Sequence, residues 1–111
     1  MKISTQEYDK VTVVELNGEF ISEFAHSFEK KMQDLIIDNM EGIVLDFSNV
    51  GYIDSRGLES LLWLKDTCAS KLMQLKIAGL DESCAKILEL TRIDEKFDKY
   101  VELAEAVKSF A

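Results

Sequence analysis

The side chains that could perform chemistry in this 111-residue chain are few and lie far apart in the sequence. The single histidine, His26, has no second histidine at metal-ligand spacing, and Cys68 and Cys84 form no CxxC pair. We therefore expect no metal site, and we interpret His26 as an ordinary helix residue. The glycines form neither GxGxxG nor GxxxxGK, and no serine lies in GxSxG. The sequence thus predicts no phosphate-binding loop, no bound cofactor and no enzymatic activity.

Asp46 follows an apolar run at the position where a phospho-accepting receiver domain would carry its acceptor aspartate. A receiver domain also needs an acidic pair after its first strand, because that pair holds the magnesium ion that neutralises the phosphoryl group. The corresponding segment here reads Asn-Gly-Glu at 17–19. We therefore interpret Asp46 as a capping or turn residue at the end of its strand.

Ser55 is the most informative polar residue, because it lies where an apolar strand and a short loop lead into a helical pattern, VLDFSNVGYIDSRGLESLLWL. The sequence predicts that Ser55 is the N-cap, whose hydroxyl accepts a hydrogen bond from the first helical turn. Trp63 has two open interpretations, a surface aromatic or an anchor at a protein interface. On a helical wheel Leu58, Leu61 and Leu62 share the inward side, and the side opposite, next to Ser55, carries Arg56, Glu59 and Trp63.

The elements that must position these residues alternate between two periodicities. β-branched and apolar runs predict strands at Ile3–Thr5, Val11–Leu16, Ile43–Phe47, Leu72–Ile77 and Tyr100–Val101. Helical spacing predicts four helices, from the N-cap Ser22 to about Asn39, from Ser55 to about Ala69, from the cap Asp81 to about Leu90, and from Leu103 to Phe110. The order β-β-α-β-α-β-α-β-α predicts an α/β fold with an antiparallel first strand and an otherwise parallel sheet.

Composition limits the partners and the compartment. The formal net charge of −8 disfavours binding to nucleic acid or anionic membranes. No apolar run approaches the length of a membrane span, and the N-terminus lacks the apolar centre of a secretory signal. We therefore expect a cytoplasmic protein with reduced, half-buried cysteines, no membrane insertion and one domain over residues 1–111.

The stretch DFSNVGYIDSRGLESLL resembles the core motif of the STAS domain family, in its anti-sigma factor antagonist type. Further segments are similar to the family's turn before the first helix, to its next strand, and to its closing helix and last strand, namely LNGEF at 16–20, the residues 75–79, and LELTRIDEKFDKY at 88–100. The resemblance covers nearly the whole chain and implies a mixed STAS-like sheet.

The resemblance also implies a role in bacterial transcription regulation by partner switching. Ser55 matches the serine that a partner serine kinase phosphorylates, so the chain would be a phosphoprotein. The unphosphorylated form would bind this kinase, which is itself the anti-sigma factor, and a serine phosphatase would reverse the modification. The motif aspartate, the motif glycine and the outward helix face give the expected partner-binding set, Asp54, Ser55, Arg56, Gly57, Glu59 and Trp63. The sequence leaves open a monomer or a weak dimer.

Three positions depart from the family pattern. Arg56 stands where a second serine or a threonine is usual, Ile21 where an aspartate is common, and Arg92 where glycine is frequent. These departures leave the partner open. A rival hypothesis is a STAS subunit that binds an ABC-type ATPase in lipid transport without a phosphorylation cycle. A third, weak nucleotide hydrolysis, is disfavoured because no phosphate-binding loop is present.

Overall fold

The computed structural model describes residues 1–37 and 40–110, and its elements follow the predicted order. The strands are β1 Lys2–Tyr8, β2 Val11–Asn17, β3 Gly42–Asn49, β4 Gln74–Ala78 and β5 Asp98–Tyr100. The helices are α1 Ser22–Leu35, α2 Ser55–Ser70, α3 Glu82–Leu90 and α4 Leu103–Lys108, and a 3-10 turn at Asp94–Lys96 precedes β5.

The five strands form one sheet in the order β1-β2-β3-β4-β5. β1 pairs with β2 antiparallel, and the remaining pairs are parallel, which confirms the predicted α/β class with an antiparallel first strand. β3 is the central strand, and its residues from Gly42 to Phe47 are all buried. An apolar run without alternation is what a strand covered on both faces requires.

Helices cover the two faces of the sheet unequally. The larger core packs α1, α2 and α3 against one face through residues that include Phe28, Leu61, Leu64 and Leu88. The smaller core lies on the other face, where Ala106 of α4 packs over neighbouring valines of the sheet. Because α1 and α2 share a face and follow the adjacent strands β2 and β3, their first turns meet at one edge of the sheet.

The first helix differs from the prediction at both ends. Ile21 is its N-cap and makes no side-chain cap bond, so the prediction that Ser22 caps this helix is wrong. The helix ends at Leu35, with the backbone of Ile36 already extended, although the apolar spacing continues through Ile36. Asn39, the predicted end, lies outside the described residues.

The boundaries of the other strands shift for local reasons. β4 begins at Gln74 instead of Leu72, because Leu72 is 94% exposed and has a left-handed backbone, φ 58°, in the turn after α2. β5 runs over Asp98–Tyr100 instead of Tyr100–Val101, after a 3-10 turn that the sequence did not predict. The prediction that Asp46 ends its strand is wrong, since β3 continues to Asn49. The buried Asp46 carboxylate accepts hydrogen bonds from the amide and the hydroxyl of Ser48, a contact typical of turns.

Candidate functional site

Asp54, and not Ser55, caps the second helix. Its backbone is extended, φ −92° and ψ 179°, and its Oδ1 accepts a hydrogen bond of 2.8 Å from the amide of Gly57. Asp and Ser are equally good N-caps, so the sequence Asp-Ser at a helix start does not decide between them. The predicted cap at Ser55 is therefore wrong: Ser55 is the first helical residue, and its side chain is exposed.

The same carboxylate also serves the first helix. Asp54 Oδ2 accepts a hydrogen bond of 2.8 Å from the amide of Ser22, the first residue of α1. The residue before Ser22 is Ile21, which has no polar atom in its side chain to do this locally. One aspartate therefore satisfies a free amide at the start of each of two neighbouring helices.

The two loops that lead into these helices are joined along their backbones. Phe20 donates its amide to the Tyr52 carbonyl oxygen at 2.9 Å, and Asp54 donates its amide to the Phe20 carbonyl oxygen at 3.1 Å. Phe20 and Ile53 thus form a parallel β-bridge beyond the ends of β2 and β3. At Gly57 an added Cβ would overlap the Phe20 carbonyl oxygen, so only glycine permits this approach.

A polar cluster ties the first turns of α2 to the middle of α1. Arg56 Nη1 donates to Glu29 Oε2 at 2.7 Å and to Ser60 Oγ at 3.1 Å. Ser60, which is fully buried, donates its hydroxyl to the same Glu29 oxygen at 2.6 Å. Three side chains from two helices therefore form a closed triangle of hydrogen bonds. We call Glu29, Arg56 and Ser60 the interhelix triangle.

The predicted outward face of α2 is only partly as expected. Glu59 is exposed, and its carboxylate lies 3.9 Å from the Arg56 guanidinium. Arg56 itself points toward α1 and is 38% exposed, so it is not a free surface cation. Trp63 is half-buried and packs against the larger core, which makes the picture of a fully outward side chain wrong. On the inward side Leu61 is fully buried, while Leu58 and Leu62 are half-buried.

Hydrogen bonds at the site shift the pKa values of three charged side chains, Glu29, Arg56 and Asp54. The hydrogen bond from Arg56 lowers the pKa of Glu29, and the same contact raises the pKa of Arg56. The pKa of Asp54 is lowered because the Gly57 amide, and then the Ser22 amide, bind its ionised carboxylate. These three groups are therefore charged at neutral pH.

The two cysteines and His26 lie outside the first turn of α2. Both cysteines are buried and free, and burial raises the pKa of Cys68 to about 11 and that of Cys84 to about 12. Such thiols stay protonated at neutral pH and are poor nucleophiles. His26 is exposed on α1. Within residues 1–37 and 40–110 no group of three His, Cys, Asp or Glu side chains could hold a metal ion.

Sequence reasoning missed four residues that shape the site, namely Phe20, Ser22, Glu29 and Ser60. One signal was available, because Ser60 is a polar residue that lies beside Leu61 on the inward side of the helix and four positions after Arg56. A polar group buried there needs a partner. Nothing in the sequence alone identifies that partner as Glu29, since the pairing depends on how α1 and α2 pack.

Comparison with known proteins identifies the family to which the chain belongs. The family model of the STAS domain matches residues 2–108. The chain belongs to the STAS domain family, as its sequence predicted. No helix in the part of the chain that the structure describes is both long enough and apolar enough to cross a membrane.

Solved structures with this fold include anti-sigma factor antagonists. The crystal structure of a proposed anti-sigma factor antagonist from Thermotoga maritima has a TM-score of 0.90 and 25% identity, over 97% of this chain and 93% of that one. An anti-sigma factor antagonist from Mycobacterium paratuberculosis has a TM-score of 0.86 and 22% identity, over 98% and 92%. A sulfate transporter family protein from Wolinella succinogenes has a TM-score of 0.83 and 20% identity, over 93% and 86%.

Proposed function

We propose that this chain is a non-enzymatic, cytoplasmic anti-sigma factor antagonist that switches partners when Ser55 is phosphorylated. Unphosphorylated Ser55 would lie in the interface with a serine kinase that is also the anti-sigma factor. A serine phosphatase would restore this form. The observation that supports the proposal is an exposed serine at the first position of α2, inside the stretch that resembles the family's core motif.

The local geometry supports a modification that leaves the fold intact. The Ser55 side chain is exposed and does not cap the helix, since Asp54 has that role. A phosphate at the first helical position gains from the helix dipole, while the neighbouring Asp54 opposes it. The modification therefore has little reason to unfold α2.

The effect of phosphorylation would instead appear at the interface. A phosphate adds about −1.5 to −2 charges, and a surface that fits a neutral hydroxyl would have to desolvate that group. Desolvation without a compensating partner costs several kcal/mol. The kinase should therefore release the phosphorylated chain. Asp54 and Glu59, which lie beside Ser55 on the same turns, are the residues that we propose contact the partner with it. Gly57, which the resemblance also places in the partner-binding set, is buried against the Phe20 carbonyl oxygen and instead allows the close approach of the two loops.

A pair of isosteric variants tests the role of charge at Ser55. The partner is first isolated by affinity purification from the native cell with the wild-type chain, and its affinity is then measured by calorimetry. We expect Ser55→Asn to bind nearly as the wild type does and Ser55→Asp to lose most of the binding. Intact mass after expression in the native cell should show one added phosphate on the wild type and none on Ser55→Asn. Equal affinities of the two variants would remove charge at Ser55 as the switch.

Trp63 needs a modified expectation because it is half-buried against the larger core. If its exposed part is an interface anchor, Trp63→Ala should weaken partner binding by about 2 kcal/mol or more. The same change should also lower the free energy of unfolding, since it removes contacts to the core. Trp63→Phe keeps an aromatic ring against the core and is the matched control. A loss of stability in Trp63→Ala without any loss of affinity would assign Trp63 to the fold alone.

The second candidate is a STAS subunit that binds an ABC-type ATPase in lipid transport. The likeness to a sulfate transporter family protein favours it, because it places this fold among transport proteins as well. The same α2 surface would then bind the ATPase without any phosphorylation. Recovery of an ATPase, together with unmodified Ser55 by intact mass, would favour this candidate over the first.

A further inference from the structure

Arg56 is the cation nearest in sequence to Ser55, and it is already bound. Its Nη1 donates to Glu29 Oε2 at 2.7 Å and to Ser60 Oγ at 3.1 Å. Glu29 is held in turn by the buried Ser60 hydroxyl at 2.6 Å. Because Glu29 is 20% exposed and Arg56 38% exposed, water screens this contact less than it screens a pair on the open surface.

Arg56 is the one Lys or Arg in the segments that build the site. Residues 11–29 and 32–64, which supply β2, most of α1, β3, both joined loops and the first turns of α2, contain no Lys or Arg except Arg56. Arginine is the side chain that binds phosphate best, because its planar fork can donate two parallel hydrogen bonds. Whether Arg56 is free or bound therefore decides how a phosphate on Ser55 would be neutralised.

We propose that Glu29 is a positioning residue of the switch, which holds Arg56 on α1 and so withholds it from the phosphate on Ser55. The inference rests on the proposed function of Ser55. Phosphorylation then leaves a dianion that its own chain does not neutralise, and the full charge faces the partner. The departure of Arg56 from the family pattern is thereby compatible with a charge switch, because Glu29 offsets the added cation.

The charges around the triangle favour this arrangement over capture of Arg56 by the phosphate. Asp54 lies directly before Ser55, and Glu59 lies 3.9 Å from the Arg56 guanidinium, so both repel a second anion there. His26 lies one turn before Glu29 on α1 and helps to lower the pKa of Glu29. Both hydrogen bonds of Arg56 use Nη1, so a phosphate that drew the guanidinium away from α1 would break them and leave Glu29 with the Ser60 hydroxyl alone.

The second pKa of the phosphate reports whether Arg56 is near it. Phosphoserine is incorporated at position 55 during synthesis, and the phosphorus NMR signal is followed as a function of pH. For the wild type we expect a second pKa at or slightly above the ordinary value of about 6. In Glu29→Gln the ion pair is replaced by at most a neutral hydrogen bond, so the guanidinium is held less firmly and can approach the phosphate, and we expect the second pKa to fall by about 0.5 to 1 unit.

Two further variants separate Glu29 from a general charge effect. Glu59→Gln also removes one negative charge near the Arg56 guanidinium, but Glu59 makes no short contact with it. This variant should therefore shift the phosphate pKa much less. Adding Arg56→Gln to the Glu29→Gln chain should return the pKa to the wild-type value, because the cation is then gone. Thermal melting of each variant verifies that it is folded; glutamine at position 29 can still accept the Ser60 hydrogen bond.

Two outcomes would overturn the proposal. A wild-type phosphate pKa well below about 6 that Arg56→Gln raises to the ordinary value would mean that Arg56 already pairs with the phosphate. An unchanged pKa in folded Glu29→Gln would mean that the charge of Glu29 is not what keeps Arg56 away. Neither outcome depends on a kinase, because the phosphoserine is installed in synthesis. Absence of phosphate on Ser55 in the native cell would instead contradict the proposed function.

Discussion

The starts of α2 and α3 use the same local chemistry and differ in what they are tied to. Each helix follows a parallel strand, and each has an aspartate N-cap whose Oδ1 accepts the amide three residues later at 2.8 Å. Asp54 does this for Gly57, and Asp81 does it for Cys84. Considered as isolated helix starts, the two are equivalent.

The difference lies beyond the helix itself. The second oxygen of Asp54 binds the amide of Ser22 on α1, and Gly57 lies against the Phe20 carbonyl oxygen. At the corresponding position α3 has the side chain of Cys84, which is buried and contacts the Val50 carbonyl oxygen. Asp81 thus caps α3 alone, whereas Asp54 binds an amide at the start of both α1 and α2. The shared cap, Asp54, directly precedes Ser55.

The largest loss of stability is expected from Gly57→Ala. This variant tests the close approach of Gly57 to the Phe20 carbonyl oxygen, which has no counterpart at the start of α3. The added methyl group would overlap the Phe20 carbonyl oxygen and press on Ile53 Cγ2 at 3.0 Å. We expect the free energy of unfolding to fall by about 3 kcal/mol in urea denaturation. Gly51→Ala is the control, because an added Cβ there has no atom within 4 Å. Equal midpoints for the two variants would show that the loops separate easily.

A smaller effect on the free energy of unfolding is expected from Asp54→Ala and Asp81→Ala, which remove the two caps. Loss of an N-cap costs about 1 kcal/mol, and we expect this for Asp81. For Asp54 we expect about 2 kcal/mol, because the amide of Ser22 loses its partner together with that of Gly57. The measurement is urea denaturation of both variants. Equal losses would mean that the bond to Ser22 adds nothing to stability.

Sequence periodicity was sufficient to predict the order of strands and helices, because each element is recognised from a short segment of the sequence. The buried run of β3, the hairpin of β1 and β2, and the cap at Asp81 each follow from residues within one element. The left-handed turn at Leu72 and the 3-10 turn before β5 were missed, since leucine does not favour φ 58° and a three-residue turn has no periodic signal.

The candidate site was predictable only in part. The motif located Asp54, Ser55 and Gly57 at a helix start, but it could not say which of the first two is the cap, because both types cap well. The contacts of Glu29 with Arg56 and of Asp54 with Ser22 join residues far apart in the chain. Such contacts depend on the packing of α1 against α2, which helical periodicity does not specify.

The pH dependence of stability tests the charged state of the shared cap. Hydrogen bonds from Gly57 and Ser22 lower the pKa of Asp54 below its ordinary value of 3.8. Because the folded pKa is below the unfolded one, the charge stabilises the fold above the unfolded value and this stability is lost as the pH falls through the folded pKa.

Asp54→Asn isolates the charge, since asparagine also caps helices. We expect the variant to be less stable than the wild type at pH 7, by less than in Asp54→Ala. The difference should shrink as the pH falls below about 4. The measurement is urea denaturation at pH 7 and pH 3. A constant difference would mean that the ionised carboxylate is not what the two amides stabilise.

The smallest effect on stability is expected at Ser55, because its hydroxyl does not cap α2. Ser55→Ala should change the free energy of unfolding by less than about 0.5 kcal/mol, as is usual for exposed positions. Ser55→Glu should add a few tenths of a kcal/mol, since a negative charge in the first turn interacts well with the helix dipole. The corresponding position of α3 carries Glu82, which shows that a first helical residue tolerates this charge.

Thermal melting of both variants measures the effect. A loss of about 1 kcal/mol or more in Ser55→Ala would restore the serine as the cap. If both variants instead melt close to the wild type, any loss of partner binding in Ser55→Glu comes from the interface and not from the fold.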